Sequence, residues 1–124
     1  MRDILTISLG AIAGANARYF LSRYAAKIMG PVFPYGTLVI NVSGSVVVGF
    51  FMIWATERAL VEPRWRLLLV VGFCGAYTTF STFTFETVRL AEEGDYGDAV
   101  RNVGLSLVIG AVAAAAGLAL PALV

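Results

Sequence analysis

Long stretches without a charged residue constrain this sequence more than any other feature. Four runs contain no Asp, Glu, Lys or Arg: 4–17, 28–56, 67–85 and 102–124. A helix needs about 20 mostly apolar residues to cross the hydrocarbon layer of a bilayer. We therefore predict four transmembrane helices, at about 3–28, 36–57, 65–90 and 99–122. The expected fold class is an all-α integral membrane protein.

Composition excludes the other broad classes. Apolar residues make up 59% of the 124 residues and charged residues 14%, whereas soluble domains average about 45–50% and 25%. Disordered chains are poor in apolar residues, and a net charge of +1 argues against a nucleic-acid partner. A membrane β-barrel would need at least about eight alternating strands. The length fits one domain, so we predict a single transmembrane domain over 1–124.

The first predicted helix has an alternative interpretation. Arg2, the apolar stretch and Ala15-Asn16-Ala17 resemble a signal peptide with a small-residue cleavage site. However, Asp3 weakens the basic N-terminal region, and the apolar pattern resumes at Tyr19 beyond the cleavage position. We therefore interpret the segment as a transmembrane helix.

Loop charges divide equally between the two sides of the membrane. With four spans, one side carries Arg2, Arg58, Arg64 and Arg66, and the other carries Arg23, Lys27, Arg89 and Arg101. Loop Lys and Arg residues normally set orientation. Two hypotheses stay open: another feature selects one orientation, or the chain inserts both ways and pairs head-to-tail. Polar residues inside the spans and small residues at helical spacing favour an oligomer.

The segment 72–86, GFCGAYTTFSTFTFE, is the most unusual part of the sequence. Gly72 and Gly75 lower helix propensity, while Phe80 and Phe83 share one helical face. A break in the helix would leave free carbonyls, which membranes tolerate only inside protein or along a cavity. Carbonyl oxygens suit a small hard cation such as Na⁺. The alternative is an ordinary helix whose glycines pack, whose phenylalanines face lipid and whose threonines bond to the preceding turn.

Two polar side chains lie within apolar runs, and each has two interpretations. Arg18 is either functional, as intramembrane arginines usually are, or extends to an interface. Asn41 places an amide donor inside the membrane, for a ligand or for an interhelical hydrogen bond. Glu86, near the end of the third span, is either solvated or paired with a cation. The sequence contains no His and no nucleophile–base pair, which favours transport over an enzyme.

Three motifs resemble the Fluc (CrcB) family of fluoride ion channels. They are GAIAGANARY at 10–19, GTLVINVSGS at 36–45 and GFCGAYTTFSTF at 72–83. The similarity covers nearly the whole chain, and the third motif is highly specific. Two positions depart from the family pattern: Ala76 stands for a second glycine, and Tyr77 for a smaller or aliphatic residue. Span four has Gly110 and Ala114 where the family often carries Ser and Thr, which leaves Asn102 and Ser106 as its polar groups.

The resemblance implies an antiparallel dual-topology homodimer with a break in the third helix and two pores along the subunit interface. It implies a structural Na⁺ on the two-fold axis, held by the backbone carbonyls of Gly75 and Thr78 from each subunit. Arg18 would form the vestibule. The fluoride path would be lined by Asn41, Thr79, Phe80, Ser81, Thr82, Phe83 and Ser106.

The implied function is passive export of cytoplasmic fluoride, which reduces fluoride toxicity, in the plasma (inner) membrane. The partners are then fluoride, a second copy of the chain and the lipid bilayer. One alternative is a small multidrug-type proton-coupled exporter, which needs a carboxylate in the first span, where only Asp3 stands at the very end. A second alternative is a non-transporting assembly subunit, which needs neither a phenylalanine pair nor a buried asparagine.

Overall fold

The computed structural model describes residues 1–57 and 62–123. Residues 58–61, which include Arg58 of the charge count, and Val124 lie outside the described residues. The described chain consists of helices and contains no strand. Its elements are α1 (Arg2–Met29), α2 (Tyr35–Glu57), α3 (63–77), α4 (Phe80–Glu92), α5 (Tyr96–Ala119) and a final 3₁₀ turn (Leu120–Leu123).

Four segments are long and apolar enough to cross a membrane: Arg2–Met29, Tyr35–Glu57, Pro63–Glu92 and Tyr96–Leu123. Each agrees within a few residues with a predicted span, so the prediction of four membrane helices is confirmed. The agreement follows from the charge pattern, because a charged side chain in hydrocarbon is costly and therefore marks the helix ends.

The third apolar segment is the least regular. Within α3, the residues Leu67–Cys74 follow π-helical hydrogen bonding between α-helical turns at Pro63–Arg66 and Gly75–Tyr77. Thr78 and Thr79 are extended, and α4 begins at Phe80. Single-turn π-bulges are the usual form, and they are frequent at functional sites; a stretch of eight residues is long for this geometry.

Glycines bring the backbones of α1 and α3 into direct contact. A Cβ added to Gly10 would collide with the Leu68 carbonyl oxygen, and one added to Gly14 would collide with the Phe73 carbonyl oxygen. A Cβ on Gly72 would lie 2.5 Å from the Ile7 carbonyl oxygen. Lipid tails are as apolar as the helix surfaces, so the hydrophobic effect does not drive helices together in a membrane. Close packing of this kind is what holds them together instead.

Glycines also bring the backbones of α2 and α5 into direct contact. A Cβ on Gly49 would lie 2.5 Å from the Ala114 carbonyl oxygen, and one on Gly117 would collide with the Val46 carbonyl oxygen. The fold is therefore two closely packed pairs, α1 with α3 and α2 with α5, and α4 packs on α5. The helical spacing of small residues in the sequence predicted close helix contacts without indicating which helices would pair.

We expect Gly14→Ala to lower the thermal unfolding temperature in detergent by several degrees. The added methyl group would force the α1 and α3 backbones apart, and overpacking of this kind costs about 1–3 kcal/mol. The matched control is Gly104→Ala on α5, where an added Cβ meets nothing within 4 Å and alanine improves helix propensity. Equal unfolding temperatures for the two variants would contradict the close α1–α3 contact.

Candidate functional site

The chain leaves helical geometry at two adjacent threonines between α3 and α4. Thr78 has φ −77° and ψ 156°, and Thr79 has φ −150° and ψ 112°. The Thr78 N–H and Oγ1 both donate to the Cys74 carbonyl, at 3.0 and 2.9 Å. Thr79 caps α4, because its Oγ1 accepts a hydrogen bond from the Thr82 N–H at 3.2 Å. Threonine suits this position because its hydroxyl satisfies a free N–H of the first helical turn.

Asn41 on α2 holds this extended segment through both halves of its side-chain amide. Its Oδ1 accepts from the Thr79 N–H at 2.8 Å, and its Nδ2 donates to the Thr79 carbonyl at 3.0 Å. In a continuous helix the Thr79 N–H would instead donate to the Gly75 carbonyl. Both hydrogen bonds join Asn41 to a neighbouring segment, which is the structural interpretation that the sequence left open. The second hydrogen on Nδ2 remains for another acceptor.

The predicted cation ligands lie at the same place. Among the described residues, no hydrogen-bond donor reaches the carbonyl oxygen of Gly75 or of Thr78, and Gly75 is exposed. Backbone carbonyls without partners are the donor type that hard cations prefer. In the described part of the chain, no three His, Cys, Asp or Glu side chains cluster in a way that would bind a metal. The donor chemistry therefore fits a hard cation held by backbone oxygens.

A groove of about 640 Å³ opens beside the two threonines, between α2, α4 and α5. Five of the seven residues predicted for the fluoride path line it: Asn41, Thr79, Phe80, Phe83 and Ser106. The remaining lining is mostly apolar and contains no charged residue, with Val48, Met52, Leu107, Ala114 and Leu118 among its members. The groove is thus a largely apolar channel-like surface with a few hydrogen-bond donors.

The two phenylalanines of α4 differ sharply in exposure. Their ring centroids are 5.8 Å apart and the rings are tilted by 50°. Phe83 is 8% exposed, whereas Phe80 is 75% exposed. The Phe80 ring therefore makes little contact with the rest of the described chain, although it borders the groove.

Two residues predicted for the fluoride path do not line the groove. Ser81 is exposed, and its Oγ lies 3.4 Å from the Thr79 Oγ1. Thr82 accepts from the Thr79 hydroxyl at 2.9 Å and borders a separate recess of about 300 Å³. A chain of hydroxyl groups centred on Thr79 therefore extends from the groove toward this recess.

The recess contains Glu86, whose environment the sequence left open. Glu86 is half-buried, and its Oε1 accepts from the Thr37 Oγ1 at 3.0 Å. Sequence reasoning missed Thr37, and it did not assign Ser45, which lines the groove, to the fluoride path. Thr37, Asn41 and Ser45 are spaced by four residues and so form a polar stripe on one face of α2. That spacing is a signal that the sequence already contained.

Two other predicted polar residues lie apart from the groove. Arg18 is partly exposed on α1, makes no hydrogen bond or ion pair with the described residues, and does not line the groove. Asn102 is 1% exposed and donates to the Thr87 Oγ1 at 2.9 Å, which ties α5 to α4. Ser106 is therefore the polar residue of α5 that reaches the groove.

Comparisons with known proteins give consistent similarities. Residues 5–118 match the family described as CrcB-like protein, Camphor Resistance (CrcB). A protein of Koribacter versatilis (strain Ellin345), named fluoride-specific ion channel FluC, is 53% identical over 103 residues, which cover 83% of this chain and 82% of the relative. A protein of the same name from Sulfurihydrogenibium sp. (strain YO3AOP1) is 43% identical over 120 residues, 97% of each chain.

Proposed function

Because this chain belongs to the CrcB family, we propose that it is a fluoride-selective ion channel through which fluoride leaves the cytoplasm passively. The resemblance predicted from the three sequence motifs is confirmed, and the chain is a multi-pass membrane protein. The observation that carries the proposal is the uncharged groove in which Asn41, Phe80 and Phe83 meet.

The groove has the chemistry that a fluoride path requires. Fluoride is small and strongly hydrated, so a dry path must replace its water with hydrogen-bond donors. The free Nδ2 hydrogen of Asn41 and the hydroxyl of Ser106 are such donors, and the ring edges of Phe80 and Phe83 carry partial positive charge. No full charge lines the groove, so the ion is not held too tightly to leave.

A second copy of the chain is the proposed closure of this groove. The groove is open along one side, and Phe80, which is 75% exposed, borders it, so a second copy packed there would complete the lining of the groove. The equal division of loop charges supports an antiparallel, dual-topology homodimer. In such a dimer each subunit would supply one groove, and two pores would run along the interface.

A structural Na⁺ at the centre of that dimer would be held by Gly75 and Thr78. Each subunit offers two carbonyl oxygens, which are too few for a hard cation, and a two-fold axis would double them. The bound ion would add positive field near the anion path. Its proposed role is structural, and it takes no part in a chemical step.

The direction of flow follows from acid–base chemistry. Fluoride that enters the cell as the neutral acid dissociates inside, and the anion would flow out down its gradient through a passive pore. The proposed location is therefore the plasma (inner) membrane, where export would reduce fluoride toxicity. A proton-coupled multidrug exporter lacks support, because the carboxylate of α1 is Asp3, which is exposed in the first turn. No enzymatic activity is proposed.

The direct test is fluoride efflux from liposomes that contain the purified protein. A fluoride electrode should record release when a potassium ionophore relieves the charge imbalance, and protein-free liposomes provide the background. The same vesicles loaded with chloride should release no chloride above that background. Absence of fluoride efflux, or equal fluoride and chloride efflux, would contradict the proposed function.

A further inference from the structure

The extended segment is held by α2 at two points, of which Asn41 is only one. Two residues further along α2, the Ser43 Oγ lies 2.9 Å from the Tyr77 hydroxyl. The Ser43 hydrogen is directed to the Ile40 carbonyl at 3.1 Å, so Tyr77 is the donor to Ser43. Thr78 therefore stands between two fixed neighbours, Tyr77 and Thr79.

Tyr77 is also held by its ring. The ring stacks on Phe73 with centroids 5.4 Å apart and an angle of 18°, and Tyr77 is 8% exposed. A Cβ on Gly44 would lie 3.4 Å from the Tyr77 ring and would collide with the Thr78 methyl group. Glycine at position 44 thus admits both side chains against α2.

We infer that Tyr77 is a positioning residue that presets the carbonyls of Gly75 and Thr78 for a cation. The hydroxyl fixes the last residue of α3, just beyond Gly75 and just before Thr78. Groups that are already held in the binding geometry bind more tightly, because less conformational freedom is lost when the ligand arrives. Smaller aliphatic residues have no hydroxyl, so this control of cation affinity is a property of the tyrosine. The inference rests on the proposed Na⁺ site.

The test measures Na⁺ affinity through stability. Thermal unfolding of the full-length protein in detergent is recorded while Na⁺ replaces N-methylglucamine at constant ionic strength, and the rise in unfolding temperature yields the dissociation constant. Tyr77→Phe keeps the ring and removes the hydroxyl. We expect it to raise the Na⁺ dissociation constant by about three- to tenfold, the range of one neutral hydrogen bond.

Ser43→Ala removes the acceptor from the other side and should produce a similar shift. The double variant should add little to either single change, because both remove the same bond. Tyr96→Phe is the matched control, since Tyr96 is 68% exposed and far along the chain from the break. A merely structural role would lower the unfolding temperature equally at every Na⁺ concentration, without changing the dissociation constant.

The outcomes separate this inference from the function on which it rests. A wild-type protein that responds to Na⁺ together with unchanged dissociation constants in Tyr77→Phe and Ser43→Ala would overturn the inference and leave the cation site in place. If the wild-type protein conducts fluoride but its unfolding temperature does not depend on Na⁺, both the inference and the cation site are overturned. The proposed channel function would be unaffected. Absence of fluoride efflux would count against the channel alone.

Discussion

Replacing Phe80 by isoleucine is expected to abolish fluoride flux while leaving the fold intact. The Phe80 side chain is 75% exposed and borders the groove, so its replacement removes little packing within the chain. Isoleucine is apolar and of similar bulk but has no ring edge with partial positive charge to replace the water of the anion. We expect efflux from liposomes to fall to the level of protein-free liposomes.

The chain offers a matched control for this variant. Phe85 lies on the same helix, is 66% exposed and does not line the groove, so Phe85→Ile should conduct normally. Size-exclusion chromatography and chemical cross-linking should find the same oligomeric state in both variants and in wild type. Undiminished flux in Phe80→Ile, or an equal loss in Phe85→Ile, would show that the ring of Phe80 is not part of the path.

Replacing Asn41 by leucine is expected to abolish flux and also to destabilise the protein. Leucine has nearly the same size but leaves the N–H and carbonyl of Thr79 without partners, and Thr79 is 7% exposed. Each unsatisfied buried group costs about 1–3 kcal/mol, so we expect about 2–6 kcal/mol in total. Thermal unfolding in detergent and liposome efflux measure the two effects.

A second substitution at the same position separates anion binding from folding. Asn41→Asp keeps the acceptor for the Thr79 N–H, loses the donor to the Thr79 carbonyl, and adds a negative charge to the groove. Its unfolding temperature should lie between those of wild type and Asn41→Leu, and it should conduct no fluoride. The control is Thr56→Ala, because Thr56 is also on α2 but does not line the groove; the change removes a bond to the Met52 carbonyl at 2.6 Å and should leave flux unchanged. Wild-type flux in Asn41→Asp would contradict the donor role, and wild-type stability in Asn41→Leu would contradict the paired bonds.

Local patterns in the sequence predicted a large part of the fold. Uncharged runs located the four membrane helices. Small residues at helical spacing indicated close helix contacts, but only the structure shows that they join α1 to α3 and α2 to α5. The π-helical stretch at Leu67–Cys74 was not anticipated, because i→i+5 bonding has no residue signature and depends on how α3 lies against α1. Of the seven residues predicted for the fluoride path, five line the groove, whereas Ser81 and Thr82 lie outside it.

By itself, the sequence determined where the membrane helices begin and end, since insertion depends on the apolar content of each segment and on its flanking charges. Only the tertiary structure decided what meets the irregular backbone at Thr78 and Thr79. Asn41 binds Thr79 across 38 residues of sequence, and Ser43 binds Tyr77 across 34. Such contacts depend on how α2 packs beside α3 and α4, and they set which backbone groups are satisfied and which, like the carbonyl of Gly75, remain for a ligand.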